Sequence, residues 1–316
     1  MRLDKGVDSA HSWLPNQRLL PVLRCSPVAR AGPRSSHGRG RDARDPKSVA
    51  ARSAHQDLVC IVQPTEDQML KFALLFPIVP GATTADVKAI TGEFKANMDD
   101  YRASRMRLGI AVERVYLQPG PAGDILIAYT EGEHDFAETT RLLASSDAAI
   151  DQRFIEHVAR VHGIDVRKPP AVPVQPPETI AEWVDPAVTT RRHGLAFAAP
   201  VLPGKADAAK AWAHEAFVVR RSELTDSRRA LGQNVEVVTL NHTPMGDFGA
   251  VYLEGNDPAE ANRRFAASRT PYDAWFKDAL KPLFPPEIDF NQPVPAVEQI
   301  WDYVAQPMMA SAEPRR

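Results

Sequence analysis

From residue 72 onward, apolar and polar positions alternate in short elements that occur twice in the same order. Each copy begins with an apolar run that ends in a proline turn, FALLFPIVPG at 72–81 and LAFAAPVLPG at 195–204. These runs predict buried strands. A helical stretch follows each run and stops at Gly109 or Gly232, because glycine commonly ends helices. Two alternating strands come next, VERVYLQ with DILIAYTEG and VEVVTLN with FGAVYLEG, joined by turns that contain Pro, Gly and Asp.

Each copy then continues with two more helical segments and a short apolar one. DFAETTRLLASS and DPAEANRRFAAS predict one helix, and Asp257 followed by Pro258 favours a helix start in the second copy. DQRFIEHVARVHG and DAWFKDALKPLF predict another helix. GIDV at 163–166 and EIDF at 287–290 predict a closing strand. The resulting order, β-α-β-β-α-β, is ferredoxin-like.

The two copies align without a gap. Residues 72–132 and 195–255 share 20 identities in 61 positions, whereas unrelated sequences share about four at typical residue frequencies. The sequence therefore predicts one unit that has been duplicated.

Composition outside the repeat suggests how the chain is organised. The start of the chain is rich in Arg, Pro, Ser and Gly and has no apolar period, which predicts a disordered or non-native extension. The expected boundaries are 1–68 for this extension, 69–166 for the first unit, 167–193 for a Pro-rich linker with a short helix, 194–290 for the second unit and 291–316 for a C-terminal tail with a short helix. The linker and the tail each carry a tryptophan, Trp183 and Trp301, and we expect each of them to pack on the other unit.

Overall composition and charge exclude several functions. The hydrophobic content of 44% and the charged content of 25% are typical of a soluble globular protein, and no apolar run approaches the 18 residues of a membrane span. Residues 1–55 carry a net charge of +7 and the remainder −9, so the body lacks the basic surface of a nucleic-acid binder. The two cysteines, Cys25 and Cys60, precede the repeat. This fits a reducing compartment, and we expect a cytoplasmic protein.

Two such units with apolar residues on both sheet faces resemble the dimeric α+β barrel superfamily. Its members include stress-responsive A/B-barrel proteins, antibiotic-biosynthesis-monooxygenase-like proteins and EthD-like proteins. The resemblance covers about residues 70–304 and rests on element order and duplication. It implies an α+β fold in which two tandem ferredoxin-like units close one barrel within the chain, so we expect a monomer. Ligands of this superfamily often lie inside the barrel, so the resemblance also makes the barrel interior the expected place for a ligand.

Acidic residues at matching positions of the two copies are the first candidates for chemistry. Glu113 and Glu236 lie mid-strand among apolar neighbours, where a carboxylate needs either a partner or a proton. One hypothesis is a carboxylate that faces a cavity and acts as a base or a ligand anchor. The alternative is an ion pair with Arg105 or Arg228 at the end of the preceding helix.

The next strand of each copy carries a second shared pair. Tyr129 with Glu131, and Tyr252 with Glu254, lie on one face of their strands, so a phenol and a carboxylate either line the barrel or end the strand as core residues. We therefore list Glu113, Glu236, Tyr129 and Tyr252 as candidate catalytic residues. Candidate ligand-binding residues are Glu131, Glu254, Arg105, Arg228 and His242, the last standing where the first copy has Pro119.

Three functions stay open at this stage. The chain contains no phosphate-binding loop, nucleophile elbow, zinc-binding helix motif or C-x-x-C, and we expect neither a metal nor a cofactor. The first hypothesis is a protein that binds or transforms a small apolar or aromatic molecule. The second is a cofactor-independent monooxygenase, and the third is a non-enzymatic stress or assembly protein. A cavity faced by Glu113 or Glu236 favours the first two, and a filled barrel favours the third.

Overall fold

The computed structural model describes residues 69–120, 123–168, 175–188 and 190–305. The predicted N-terminal extension, 1–68, lies outside the described residues. In chain order, the elements are β1 (Leu70–Pro77), α1 (Thr84–Ala96), α2 (Met98–Arg107), β2 (Ile110–Gln118), β3 (Ile125–Gly132), α3 (Phe136–Ala144), α4 (Ala149–His162), β4 (Glu178–Val184), β5 (His193–Pro200), α5 (Ala206–His214), α6 (Arg221–Leu231), β6 (Gln233–Thr243), β7 (Gly246–Gly255), α7 (Pro258–Ala267), α8 (Pro271–Leu280) and β8 (Glu298–Val304). A π-helical turn, Glu215–Val219, joins α5 to α6. We call β1 to α4 the first half and β5 to α8 the second half.

The architecture is mixed α+β, with two four-stranded antiparallel sheets. Their strand orders are β1-β3-β2-β8 and β4-β6-β7-β5. β4 follows the first half but pairs with β6, while β8 follows the second half and pairs with β2. The strand that follows each half therefore completes the sheet of the other half. Trp183 and Trp301, which lie on these strands, are buried as the sequence led us to expect.

Two local predictions were wrong. The short helices expected in the linker and in the C-terminal tail are the strands β4 and β8. The strands expected at 163–166 and 287–290 are absent, and both segments lie in turns and loops. In a ferredoxin-like unit the closing strand pairs beside the first strand. Here the free edges of β1 and β5 bond instead to side chains of the other sheet, Ala73 N to Thr239 Oγ1 at 3.0 Å and Ala198 N to Gln118 Oε1 at 2.8 Å.

The two sheets lie face to face and share one apolar core. Its members come from both sheets and include Ala73, Ile127, Ala196, Val237 and Ala250. At the two sides of this core, a side-chain amide of one sheet hydrogen-bonds to the backbone of the edge strand of the other sheet. On one side, Asn241 Nδ2 donates to Ala73 O at 3.0 Å. On the other side, Gln118 Nε2 donates to Ala198 O at 2.9 Å, and Ala198 N donates to Gln118 Oε1 at 2.8 Å. These bonds satisfy edge-strand groups that would otherwise be buried without partners.

Helices cover the outer faces of both sheets, and sequence signals fix several of their ends. Asp257 caps α7 by accepting from Glu260 N at 2.9 Å, with Pro258 as the first helical residue, which confirms that prediction. Gly232 ends α6 in the left-handed conformation, at φ 82°, which a glycine adopts without steric cost. Within the described residues, no helix has the length and apolar character that crossing a membrane requires.

Candidate functional site

Two tyrosines stack between the two sheets. The rings of Tyr129 and Tyr252 are nearly parallel, at 5°, with their centroids 3.4 Å apart, and both residues are fully buried. Tyr129 donates to Glu131 Oε1 at 2.5 Å and Tyr252 donates to Glu254 Oε2 at 2.8 Å. Burial, reinforced by the neighbouring carboxylate, raises the pKa of both phenols well above its ordinary value. The hydroxyls are therefore protonated donors at neutral pH.

Two arginines bring positive charge to these carboxylates. Arg114 Nη1 lies 3.0 Å from Glu254 Oε2 and also bonds to the Tyr252 hydroxyl. Arg191, which lies just before β5, bonds to Glu131 and reaches Glu254 at 3.5 Å. The central group thus joins both halves through aromatic stacking and ion pairs, and its tyrosines and carboxylates fill the space between the sheets.

Glu113 lies on the opposite face of the first sheet, towards the helices, and forms a buried ion pair. Arg105 donates through Nε to Glu113 Oε2 at 2.5 Å and through Nη2 to Oε1 at 3.2 Å. The Tyr101 hydroxyl also bonds to Glu113 and accepts from Trp301 Nε1 at 2.7 Å. The guanidinium of Arg105 lies 4.3 Å from the centroid of the Tyr101 ring, where the ring face favours a cation.

The second half repeats this ion pair. Arg228 Nη2 donates to Glu236 Oε1 at 3.2 Å, and its Nε bonds to Oε2. Ser227, next to Arg228, donates to Asp273 at 2.6 Å, and Ser104 bonds to Asp151 in the same way. The ion-pair alternative that the sequence left open is therefore present in both halves.

A partly open cavity of about 60 Å³ lies between the first sheet, α1, α4 and β8. Most of its wall is apolar, with Phe76, Ile90, Phe94, Leu126 and Trp301 among the lining residues. Four polar side chains also face it, namely Thr91, Glu113, His157 and His162. The first half therefore combines an apolar space with a carboxylate and two imidazoles.

Both histidines are neutral at physiological pH. His162 Nδ1 lies 2.9 Å from Pro77 O, so Nδ1 carries the proton and Nε2 keeps a lone pair. Burial lowers the pKa of His162. Burial, with a smaller effect of the Arg160 charge, lowers the pKa of His157 to about 4. Arg160 Nη2 lies 3.2 Å from His157 Nδ1 and donates to it.

The corresponding space in the second half contains aromatic side chains. In the first half, Val79 N donates to Val161 O at 3.0 Å, and in the second half the equivalent Leu202 N donates to Leu283 O at 2.8 Å. Val161 and Leu283 are therefore equivalent, so Phe284 occupies the position that His162 has in the first half.

Gly249 corresponds to Leu126, and the Phe284 ring packs over it, 3.6 Å from the position a Cβ would take. Trp212 and Phe276 pack beside each other with ring centroids 4.9 Å apart, in the same core as Phe284. The two halves thus share the ion pair but differ in what stands next to it.

His242 lies apart from the other candidates. Its Nδ1 is 2.7 Å from Asp247 Oδ1 at the β6–β7 hairpin, and it lines neither the cavity nor the central tyrosine group. Among the described residues, no group of three or more His, Cys, Asp and Glu side chains is placed to hold a metal ion.

Sequence reasoning missed several residues of these two sites. Arg114 and Arg191 escaped attention because neither has an arginine counterpart in the other copy. His157 and His162 are five residues apart, a spacing that does not favour a metal pair, and the sequence offered no other reason to select them. The signal that identifies His162 is its apolar counterpart, Phe284, which a comparison extended beyond Gly132 reveals.

Comparisons with known proteins give fold-level likenesses only. No family model matches the chain, and no curated protein matches it. Among solved structures, an anthrone oxidase-like protein aligns with 78% of this chain and 98% of its own, at 11% identity and a TM-score of 0.43. A putative monooxygenase from Fusobacterium nucleatum subsp. nucleatum aligns with 75% of this chain and 94% of its own, at 8% identity and a TM-score of 0.39. A putative monooxygenase from Lactobacillus acidophilus NCFM aligns with 75% and 96%, at 9% identity and a TM-score of 0.41.

Proposed function

We propose that the first half binds a small, largely apolar molecule in the cavity beside Glu113, without a metal ion. The observation that carries this proposal is the difference between the halves. An apolar cavity faced by Glu113 and His162 exists in the first half, whereas Phe284 replaces His162 in the second. A packing role for the ion pair explains neither the cavity nor the buried imidazoles.

The polar atoms at the cavity are hydrogen-bond acceptors. Glu113 Oε1 accepts one bond, from Arg105 Nη2, and a carboxylate oxygen has room for another. His162 Nε2 keeps a lone pair because Nδ1 bonds to Pro77 O. The site therefore favours a ligand with an apolar body and one O–H or N–H donor, since unpaired buried acceptors are costly.

The volume of the cavity limits the ligand further. About 60 Å³ is less than half of the roughly 150 Å³ that holds benzene in an engineered protein cavity. The cavity accepts a group of a few atoms as it stands. A whole aromatic ring requires the wall, including Trp301 on the edge strand β8, to move.

The proposed architecture is a duplicated unit that closes one dimeric-type α+β barrel within a single monomeric chain. The sequence repeat and the reciprocal exchange of β4 and β8 support it. In this proposal, the stacked Tyr129 and Tyr252 with their carboxylates hold the two halves together. They do not act on a ligand, because the space around them is filled.

Two alternatives remain hypotheses. A cofactor-independent monooxygenase requires a base beside its substrate, and neutral His162 is the group at the cavity that suits this role. A non-enzymatic stress or assembly protein is favoured by the filled space between the sheets. Turnover distinguishes the first alternative from simple binding.

The proposal is tested with probes that fit the cavity. Xenon is an apolar probe, and ethanol and dimethyl ether are isomers of which only ethanol donates a hydrogen bond. We expect xenon to shift amide NMR signals of the first half, and ethanol to bind more tightly than dimethyl ether.

Matched variants locate the binding. His162→Phe copies the second half and should abolish the xenon shifts without loss of stability. Phe284→Ala should create new xenon shifts in the second half, which shows that the assay detects a cavity there. Absence of first-half shifts in the unmodified protein, or equal binding of the two isomers, would contradict the proposal.

A further inference from the structure

An open groove of about 610 Å³ runs along the junction of the two halves. One wall comes from the start of β1 and from α3, with Phe72 and Phe136, and the other from β4 and the π-helical turn, with Ile180 and Val218. Val218 is 60% exposed, although an apolar side chain on this turn would be expected to pack inward. The groove has the volume typical of sites for small organic ligands.

The charged side chains that line the groove differ in how they are paired. Lys71 Nζ and Glu182 Oε1 form an ion pair at 2.7 Å, and Asp135 accepts from Glu138 N at 2.8 Å as the cap of α3. Arg221 lines the groove as well. Its Nη1 makes long bonds of 3.4 Å to the backbone oxygens of Glu182 and Phe217. Within the described part of the chain, Arg221 has no carboxylate at ion-pair distance.

We propose that this groove binds an elongated apolar molecule that ends in a carboxylate, with the apolar chain along the groove and the carboxylate on Arg221. Among the described residues, Nε and Nη2 of Arg221 have no hydrogen-bond partner, and such a guanidinium is suited to a bidentate bond with a carboxylate. Because Arg221 is an exposed residue of the groove wall, the carboxylate reaches it while remaining partly hydrated, and so avoids the full cost of burying a charge.

This site is separate from the cavity beside Glu113. The two spaces share no lining residue, and the groove requires walls from both halves. The inference therefore goes beyond the proposed function, and either one stands if the other fails.

The test compares octanoate with octanol by isothermal titration calorimetry at pH 7, where octanoate is ionised and the two chains have equal length. We expect octanoate to bind about tenfold more tightly, since a charge-assisted hydrogen bond contributes roughly that factor. Arg221→Gln should remove this preference and leave octanol binding unchanged. Ala137→Trp, at an exposed position of the groove wall, should weaken both ligands.

Arg263→Gln is the matched control, because Arg263 is an exposed arginine that pairs with Glu260 and does not line the groove. It should bind both ligands as the unmodified protein does. Thermal unfolding of each variant establishes that it is folded. The inference is overturned if octanoate does not bind or binds no better than octanol. It is also overturned if Arg263→Gln lowers octanoate affinity as much as Arg221→Gln does.

Discussion

Replacing Glu113 with Gln removes one charge from the buried ion pair while keeping the shape of the side chain. Arg105 is only 1% exposed and Glu113 8%, so water does not take the place of the lost charge. Glutamine keeps an oxygen that accepts one bond from Arg105. Its other terminal group is a donor that faces donors, namely Arg105 Nε and the Tyr101 hydroxyl.

The expected cost follows from these contacts. Breaking a buried ion pair by removing one partner costs about 3–5 kcal/mol. The ring of Tyr101, 4.3 Å from the Arg105 guanidinium, offsets about 1 kcal/mol by continuing to hold the cation. We expect Glu113→Gln to lower the free energy of unfolding by roughly 3 kcal/mol, which corresponds to a fall in the thermal midpoint of roughly 6–12 °C for a protein of this size. Glu236→Gln should cost slightly less, since no tyrosine among the described residues donates to Glu236. Leu224 stands where the first half has Tyr101.

Urea unfolding of both variants measures these costs. A double-mutant cycle with Arg105→Gln tests whether they arise from the pair: the double variant should be less destabilised than the sum of the single variants by more than about 0.5 kcal/mol. A free energy of unfolding within about 0.5 kcal/mol of that of the unmodified protein in each single variant would refute the argument. Additive effects in the cycle would refute it as well, because they would show that the two charges do not depend on each other.

Two further predictions concern stability. The pKa of His157 is lowered to about 4 in the folded protein, against about 6.5 for an unfolded histidine. The unfolded chain therefore binds this proton first, and stability should fall as the pH drops from about 6.5 to about 4, by at most about 1.4 kcal/mol per pH unit. Urea midpoints across this range should depend less on pH in His157→Asn, and an unchanged slope would contradict the assignment. Gly194→Ala should destabilise by roughly 1–3 kcal/mol, because the added Cβ would come closer than 3 Å to Tyr116, Arg114 and Tyr252. Gly249→Ala is its control, because the nearest atom to the added Cβ lies at 3.6 Å. Equal thermal midpoints for the two variants would contradict the prediction, since they would show that the backbone shifts at Gly194 to accommodate the Cβ.

The strands β4 and β8 show where local sequence reasoning fails. Each tail segment carries Glu and Ala or Gln residues, which suit a helix. Their alternation is nevertheless that of a strand: Ala181 and Trp183 are buried while Glu182 between them is exposed. These segments form strands because they pair with the open edges of β6 and β2. This pairing satisfies backbone N–H and C=O groups at those edges that a helix would leave without hydrogen-bond partners. The need for a partner strand arises from the tertiary structure and is not visible within the segment.

For the candidate residues, the sequence predicts which side chains share a face of a strand, but it does not predict their bonding partners. Strand alternation correctly placed Glu113 on one face and Tyr129 with Glu131 on one face of the next strand. It does not say which face meets the helices and which meets the other sheet. The choice between a free carboxylate and an ion pair therefore stayed open until the positions of Arg105 and Tyr101 were known.

The positions shared by the two copies and the positions that differ have different physical roles. The shared Arg–Glu pairs and the shared Tyr–Glu pairs recur with the same contacts in both halves, so selection for packing is enough to keep them.

A site that works in one half must depend on residues that the other half lacks. His162 against Phe284 and Leu126 against Gly249 are such residues, and they decide whether space remains beside the carboxylate. Identity between the two copies predicted two similar halves, and each half contributes three strands to its own four-stranded antiparallel sheet. The chemistry of this chain is to be sought where the repeats diverge, and exchanging His162 and Phe284 between the halves is the direct way to ask whether the cavity follows the histidine.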